Sequence, residues 1–241
     1  MQNEGQDASI QFEEKPLSPR YVDFLRRAEQ EVARLLPRIT TRLQRTDLPP
    51  GTWHPNGFAT FPITLVAGLG LVRLHAWPRG RRRVVEGHPE IHRHSFDLYS
   101  RVICGQYVER TYRVYSKKKA PQHSRGDPLH AYIVAPGRVG GPDVLQEASD
   151  LVVAVPDGSS NAVFPSGSWH DVPLGVFHST PIPVGRLCLT VAVLGVPHPS
   201  TPGLLIGSPG FATAPRIRPN VSQSDKDVVC EEYRRHCHLV D

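Results

Sequence analysis

No apolar run in this chain approaches the roughly 20 residues that a membrane-spanning helix needs, so a helical membrane protein is excluded. The first residues, Met1-Gln2-Asn3-Glu4, are polar and acidic rather than basic and then apolar. No secretory signal is read there, and a cytoplasmic location is expected. Cysteine is scarce, and Cys104, Cys188, Cys230 and Cys237 show no Cys-x-x-Cys spacing. Nothing in them demands an oxidising compartment. Cys104 and Cys188 fall in apolar, strand-like segments, where a free thiol acts as a small buried hydrophobe. Long helical periodicity is also missing outside the N-terminal region. What the chain has in quantity is 24 prolines and 20 glycines among 241 residues, the composition of a single domain with many turns and short strands.

The net charge of +5 gathers in Arg79-Gly80-Arg81-Arg82-Arg83 and in Lys117-Lys118-Lys119. Both clusters lie between strand-like segments and neither has interleaved aromatics. They read as solvated hairpin loops that blunt sheet edges rather than as a nucleic-acid interface.

Taken in order, residues 1–17 are polar and aperiodic and read as a loose arm. Ser18-Pro19 has the form of a helix N-cap followed by proline in the first turn. Phe24, Ala28, Val32 and Leu35 recur at helical spacing, so a helix is expected from Pro19 to about Leu36, interrupted by Pro37, with a short second one to Arg45. Residues 18–47 thus form a helical addition. From residue 48 to 196 short strands follow one another: Phe58 to Leu65, Leu69 to Trp77, Asp97 to Cys104, Tyr107 to Tyr115, Leu129 to Ala135, Val144 to Val155, Asn161 to Phe164, His170 to Phe177 and Leu187 to Leu194. Short strands with turn signals and no long helix between them indicate an all-β sandwich or small barrel of jelly-roll type. Residues 197–241 are rich in proline, serine, threonine and glycine up to about Ser224 and read as an irregular extended tail, with a short helix from Val228 to His238.

The candidate chemistry lies in two places. Ile91-His92-Arg93-His94 puts two histidines at i and i+2 on one face of a strand, close enough to share a metal. Pro165-Ser166-Gly167-Ser168-Trp169-His170 is a sharp turn that delivers a third histidine to a strand start. Alternation also places Arg73, His75 and Trp77 on one side of a strand, either to line a barrel mouth and grip an acidic or aromatic substrate or to face solvent or the N-terminal helix.

The two histidine segments resemble the two metal motifs of the cupin superfamily. His92, His94 and Gly105 match the first motif, with Gly87 one residue closer to His92 than usual. Pro165, Gly167 and His170 match the second. The resemblance covers about Phe58 to Leu194 and implies a single cupin β-barrel with metal ligands His92, His94 and His170. The family's glutamate ligand has no counterpart, since its place falls on Leu98 or Tyr99. Asp97, the nearest acid, is expected to turn away.

A three-histidine set without a carboxylate resembles the thiol dioxygenase branch, which includes cysteine dioxygenase. That branch's Ser-x-His-x-Tyr run has no match in Cys188-Leu189-Thr190-Val191-Ala192, so cysteine itself is not the expected substrate. The resemblance implies a mononuclear non-haem Fe(II) oxygenase acting on a small molecule such as a thiol, an amino acid or a secondary-metabolite intermediate. Tyr99 is the candidate catalytic residue, and Arg73, His75, Trp77 and His178 are candidates for substrate contact. Imidazole also suits zinc, nickel and copper, which leaves open an isomerase, lyase or hydrolase using the metal as a Lewis acid, or a non-enzymatic ligand-binding cupin. The expected partners are a small-molecule substrate and O2, with a homodimer allowed and neither membrane nor nucleic acid.

Overall fold

The computed structural model describes residues 18–121, 128–135, 144–158, 161–209 and 218–237; the arm expected over 1–17 lies outside the described residues. In chain order the elements are α1 (Pro19–Arg45), β1 (Thr52–Trp53), β2 (Asn56–Gly57), β3 (Ala59–Val66), β4 (Gly70–Trp77), β5 (Arg83–Val84), β6 (Ile91–Arg93), β7 (Leu98–Ser116), β8 (Leu129–Ala135), β9 (Val144–Pro156), β10 (Ala162–Pro165), β11 (Trp169–Val172), β12 (Phe177–Ser179), β13 (Cys188–Gly195), β14 (Gly203–Gly207) and α2 (Gln223–Cys237). The chain is mostly β, built on one large antiparallel sheet whose strands run β1-β3-β4-β13-β7-β12-β6-β14-β8-β9. The path returns on itself, because β9 also pairs with the distal part of β7, Tyr112 to Ser116.

Two strands expected around Gly105 are one. β7 continues through it for 19 residues, with Gly105 at φ +74° and so close to β13 that a Cβ there would lie 2.0 Å from the Leu187 carbonyl oxygen. Only glycine fits both demands. Before this bend β7 pairs with β13 and β11; beyond it β7 pairs with β10, β12 and β9.

α1 is capped by Ser18, whose Oγ accepts from the Tyr21 amide at 3.2 Å. It runs through Pro37 without a break. The hydroxyls of Thr40 and Thr41 donate to the Pro37 carbonyl. Burial of Ala28, Val32, Leu35, Ile39 and Leu43 along one stripe offsets the backbone bond that proline removes. That stripe packs on alternate residues of β3, β4 and β13, namely Phe61, Val72, Leu74, Leu189, Val191 and Val193. The apolar core therefore sits between the helices and one sheet face, which leaves the opposite face of the same strands to something else.

The tail is less irregular than expected. Leu204-Leu205-Ile206 forms the centre of β14, paired with both β6 and β8, and α2 begins at Gln223, earlier than the expected Val228. Ser222 and Asp225 cap it reciprocally: the Ser222 hydroxyl accepts from the Asp225 amide, and Asp225 accepts from the Ser222 amide. The arginine cluster after β4, expected to be solvated, clamps this helix. Arg83 pairs with the buried Asp225 at 3.0 Å, and the Arg79 amide donates to Glu232. Cys188 and Cys230 are free thiols, whereas Cys104 is disulfide-bonded rather than the free thiol expected. No described helix is long and apolar enough to cross a membrane.

Candidate metal centre

His92 lies on β6 and His94 just beyond its end, on one face of the chain. β12 pairs with β6 so that His178 stands opposite His92. Cross-strand neighbours on one face have adjacent side chains, and the three rings meet, with centroids 5.0 Å apart for His92–His94, 4.4 Å for His92–His178 and 4.9 Å for His94–His178. One nitrogen from each lies within 4.8 Å of the others. Three histidines this close could hold a metal ion.

Their hydrogen bonds fit that role. His92 Nδ1 is 2.8 Å from the Glu90 carbonyl, and His178 Nδ1 is 3.1 Å from the Glu109 carboxylate. Carbonyl and carboxylate oxygens accept only, so each Nδ1 donates, which leaves Nε2 as the nitrogen available to a metal. Metal-binding histidines are held in this way, the far nitrogen donating to a carbonyl or carboxylate. His178 Nε2 and His94 Nδ1 are buried without a hydrogen-bond partner. Burial holds the His92 and His94 rings in the neutral form: it pushes the pKa of His92 down to about 3 and that of His94 well below the usual value, with the neighbouring His178 adding to both.

His170, expected as the third ligand, is outside this group. The turn that carries it forms as the sequence suggests, with Gly167 at φ +88° and the Ser168 amide donating to the Pro165 carbonyl at 3.0 Å. It leads, however, into β11, which pairs His170 with Ser100 on the proximal part of β7. There His170 stacks on Tyr107 at 3.9 Å, with a pKa lowered to about 4 by burial and Nδ1 without a partner. His178, expected as a candidate for substrate contact, takes the place by the other two. Its sequence signal was Gly175-Val176-Phe177-His178-Ser179, a short apolar strand after a glycine turn.

Tyr99, the expected catalytic residue, faces away from the histidines. It stacks on Trp169 at 4.7 Å and packs into the core beneath α1, because alternation along β7 turns Leu98, Ser100 and Val102 the other way. The tyrosine near the site is Tyr107, buried, with its phenol pKa raised by that burial and its hydroxyl donating to Glu109 at 3.2 Å. Asp97 turns away as expected, its carboxylate accepting from the Leu174 amide at 2.8 Å.

All three histidines open on a cavity of about 890 Å³. Arg73, His75 and Trp77 line it from one face of β4, and so do His170, His54 and His88. Six polar atoms of its lining are buried without a hydrogen-bond partner: Arg93 Nε, His94 Nδ1, Ser100 Oγ, His170 Nδ1, His178 Nε2 and Thr190 Oγ1. Native proteins rarely leave such groups unsatisfied, so water or a ligand in the cavity is expected to meet them. Comparison with protein-family models and with curated protein sequences gave no match.

Proposed function

We propose that the chain is a cupin-type jelly-roll barrel that holds one metal ion through His92, His94 and His178, and that it works as a non-haem Fe(II) oxygenase on a small molecule. The observation that carries the reading is the three-histidine group itself. All its ligands are imidazoles, two are oriented by hydrogen bonds at Nδ1, and among the described residues no carboxylate belongs to the group. Three protein ligands leave coordination positions for reactants, as catalytic rather than structural sites do. The return of the strand path to β7 supports the barrel.

When bound, Fe(II) would supply redox activation of O2 beside the substrate. The protein's own contribution is orientation and exclusion. Glu109 fixes the His178 ring and adds the negative charge nearest to it. Tyr107 fixes Glu109 in turn, and the aromatic wall of Phe58, Trp77 and Tyr107 keeps bulk water from one side. Zinc or nickel in the same three imidazoles would instead serve Lewis-acid chemistry without O2.

Metal content of protein purified without chelators tests the site. His178→Ala is expected to lose the metal and His170→Ala to keep it; the reverse would overturn the ligand assignment. O2 consumption by the Fe(II)-loaded chain against thiols, amino acids and aromatic acids tests the reaction. Full zinc occupancy with no O2 uptake after iron loading would replace it with Lewis-acid chemistry.

A further inference from the structure

The sheet that carries the core on its helix-facing side is polar on the other. Thr60 of β3, His75 of β4 and Thr190 of β13 stand in one cross-strand row; Arg73, Ala192, Ser100 and His170 stand in the next, across β4, β13, β7 and β11. Every polar member of both rows lines the 890 Å³ cavity. A buried sheet face is ordinarily apolar, and polar groups without partners there are costly unless water or a ligand satisfies them.

One corner of this face is charged. Residues 218–221 cross the edge of β1: the Trp53 amide donates to the Pro219 carbonyl at 2.8 Å, Thr52 bridges to Asn220, and the Val221 amide donates to the Gly51 carbonyl at 2.9 Å. This strap carries Arg218 to the corner reached by Arg73 from β4. Both arginines line the main cavity and also an adjoining pocket of about 190 Å³, together with Thr52, Thr60 and Asn220. No aspartate or glutamate is among the described residues lining either space. Elsewhere the wall is apolar, with Phe58, Trp77, Leu98, Leu194, Leu204 and Leu205. The volume stands near the upper end of the range for small-molecule sites, roughly 300–1,000 Å³.

We infer that the cavity takes a bulky organic anion, an apolar body bearing one carboxylate, sulfonate or phosphate group, with the anionic group held between Arg73 and Arg218. Guanidinium groups pair with such oxyanions through two parallel hydrogen bonds, and the Thr52, Thr60 and Asn220 side chains add further polar contacts. The inference rests on the proposed metal site only for what the ligand's other end meets.

The anion end is tested in chelator-treated, metal-free chain by fluorescence titration with two probes of like shape, 1-anilinonaphthalene-8-sulfonate and the uncharged N-phenyl-1-naphthylamine. The wild type should bind one sulfonate probe per chain, more tightly than the neutral one. Loss of a charge-assisted hydrogen bond weakens binding about 10-fold or more, so Arg218→Met should weaken the sulfonate by that factor and leave the neutral probe within about twofold. Arg73→Met should do the same, with circular dichroism to confirm that each variant is folded. Absence of sulfonate binding, equal affinity for both probes, or folded variants that bind the sulfonate like wild type would overturn the inference. Metal content of the same proteins before chelation is a separate readout. Sulfonate binding that survives in His178→Ala keeps this subsite standing even where the metal reading fails.

Discussion

Glu109 is only 5% exposed, yet it accepts hydrogen bonds from both Tyr107 and His178. A buried carboxylate in that position can do two things for a cation held by His178: it locks the ring so that Nε2 points to the ion, and it offsets part of the ion's charge. Removing such an outer partner typically costs 10–100-fold in metal affinity. Glu109→Gln keeps the size and one acceptor but removes the charge. It is expected to lower zinc affinity by about 10-fold or more while leaving the circular dichroism spectrum unchanged. Zinc affinity equal to wild type would mean that Glu109 merely fills space. Tyr107 and Glu109 were hard to find in the sequence, since a Tyr-x-Glu pair on a strand is commonplace and only the pairing of β12 with β7 gives it His178. Alternation put Arg73, His75 and Trp77 on one shared face, but which side of the sheet that face takes is set by the packing of α1. His92 and His94 were legible from alternation too, as i and i+2 on one strand. Whether the third histidine is His170 or His178 depends on which strands those residues join, and that information is not local.

Among the elements, β7 decides the most. Its glycine was read as a turn between two strands, the ordinary meaning of Gly105-Gln106. The structure uses the positive φ to bend one strand instead. Gly105→Ala places a methyl on the Leu187 carbonyl as well as straining the backbone, and the expected cost is about 3 kcal/mol, seen as a lowered urea midpoint or a failure to fold. Gly167→Ala is the control: φ is +88° there, but nothing lies within 4 Å of the added carbon. Only the backbone strain of about 1 kcal/mol is expected. Equal losses in the two variants would show that the approach of Leu187 does not matter. Other elements escaped the sequence for physical reasons too. Pro37 is tolerated because the stripe around it is buried. The strand after the proline-rich stretch is only five residues long, and its apolar centre is three.

For the whole molecule, the histidines tie stability to pH. His75 and His92 have pKa values lowered to about 3, and His170 to about 4, chiefly by burial. Unfolding returns each to about 6.5. The unfolded chain therefore binds protons that the folded chain refuses, and stability falls as pH drops from 6.5 towards 4. It is fully present above 6.5. Each histidine contributes a slope of about 1.4 kcal/mol per pH unit inside that window, so three give about 4. Urea denaturation of metal-free protein at pH 7 and pH 5 should show this loss; midpoints that do not move would mean that these rings are not held neutral.

The bend at Gly105 has a mechanical side. One continuous strand serves both the wall that bears His170 and, through its partner strand, the wall that bears His178. A covalent beam common to both walls ties the spacing of His170 and His178 to the fold of one strand. For a ligand of the proposed kind that spacing would act as a gauge: a guest too short to reach both walls is expected to bind by one end only, and one too long not to seat.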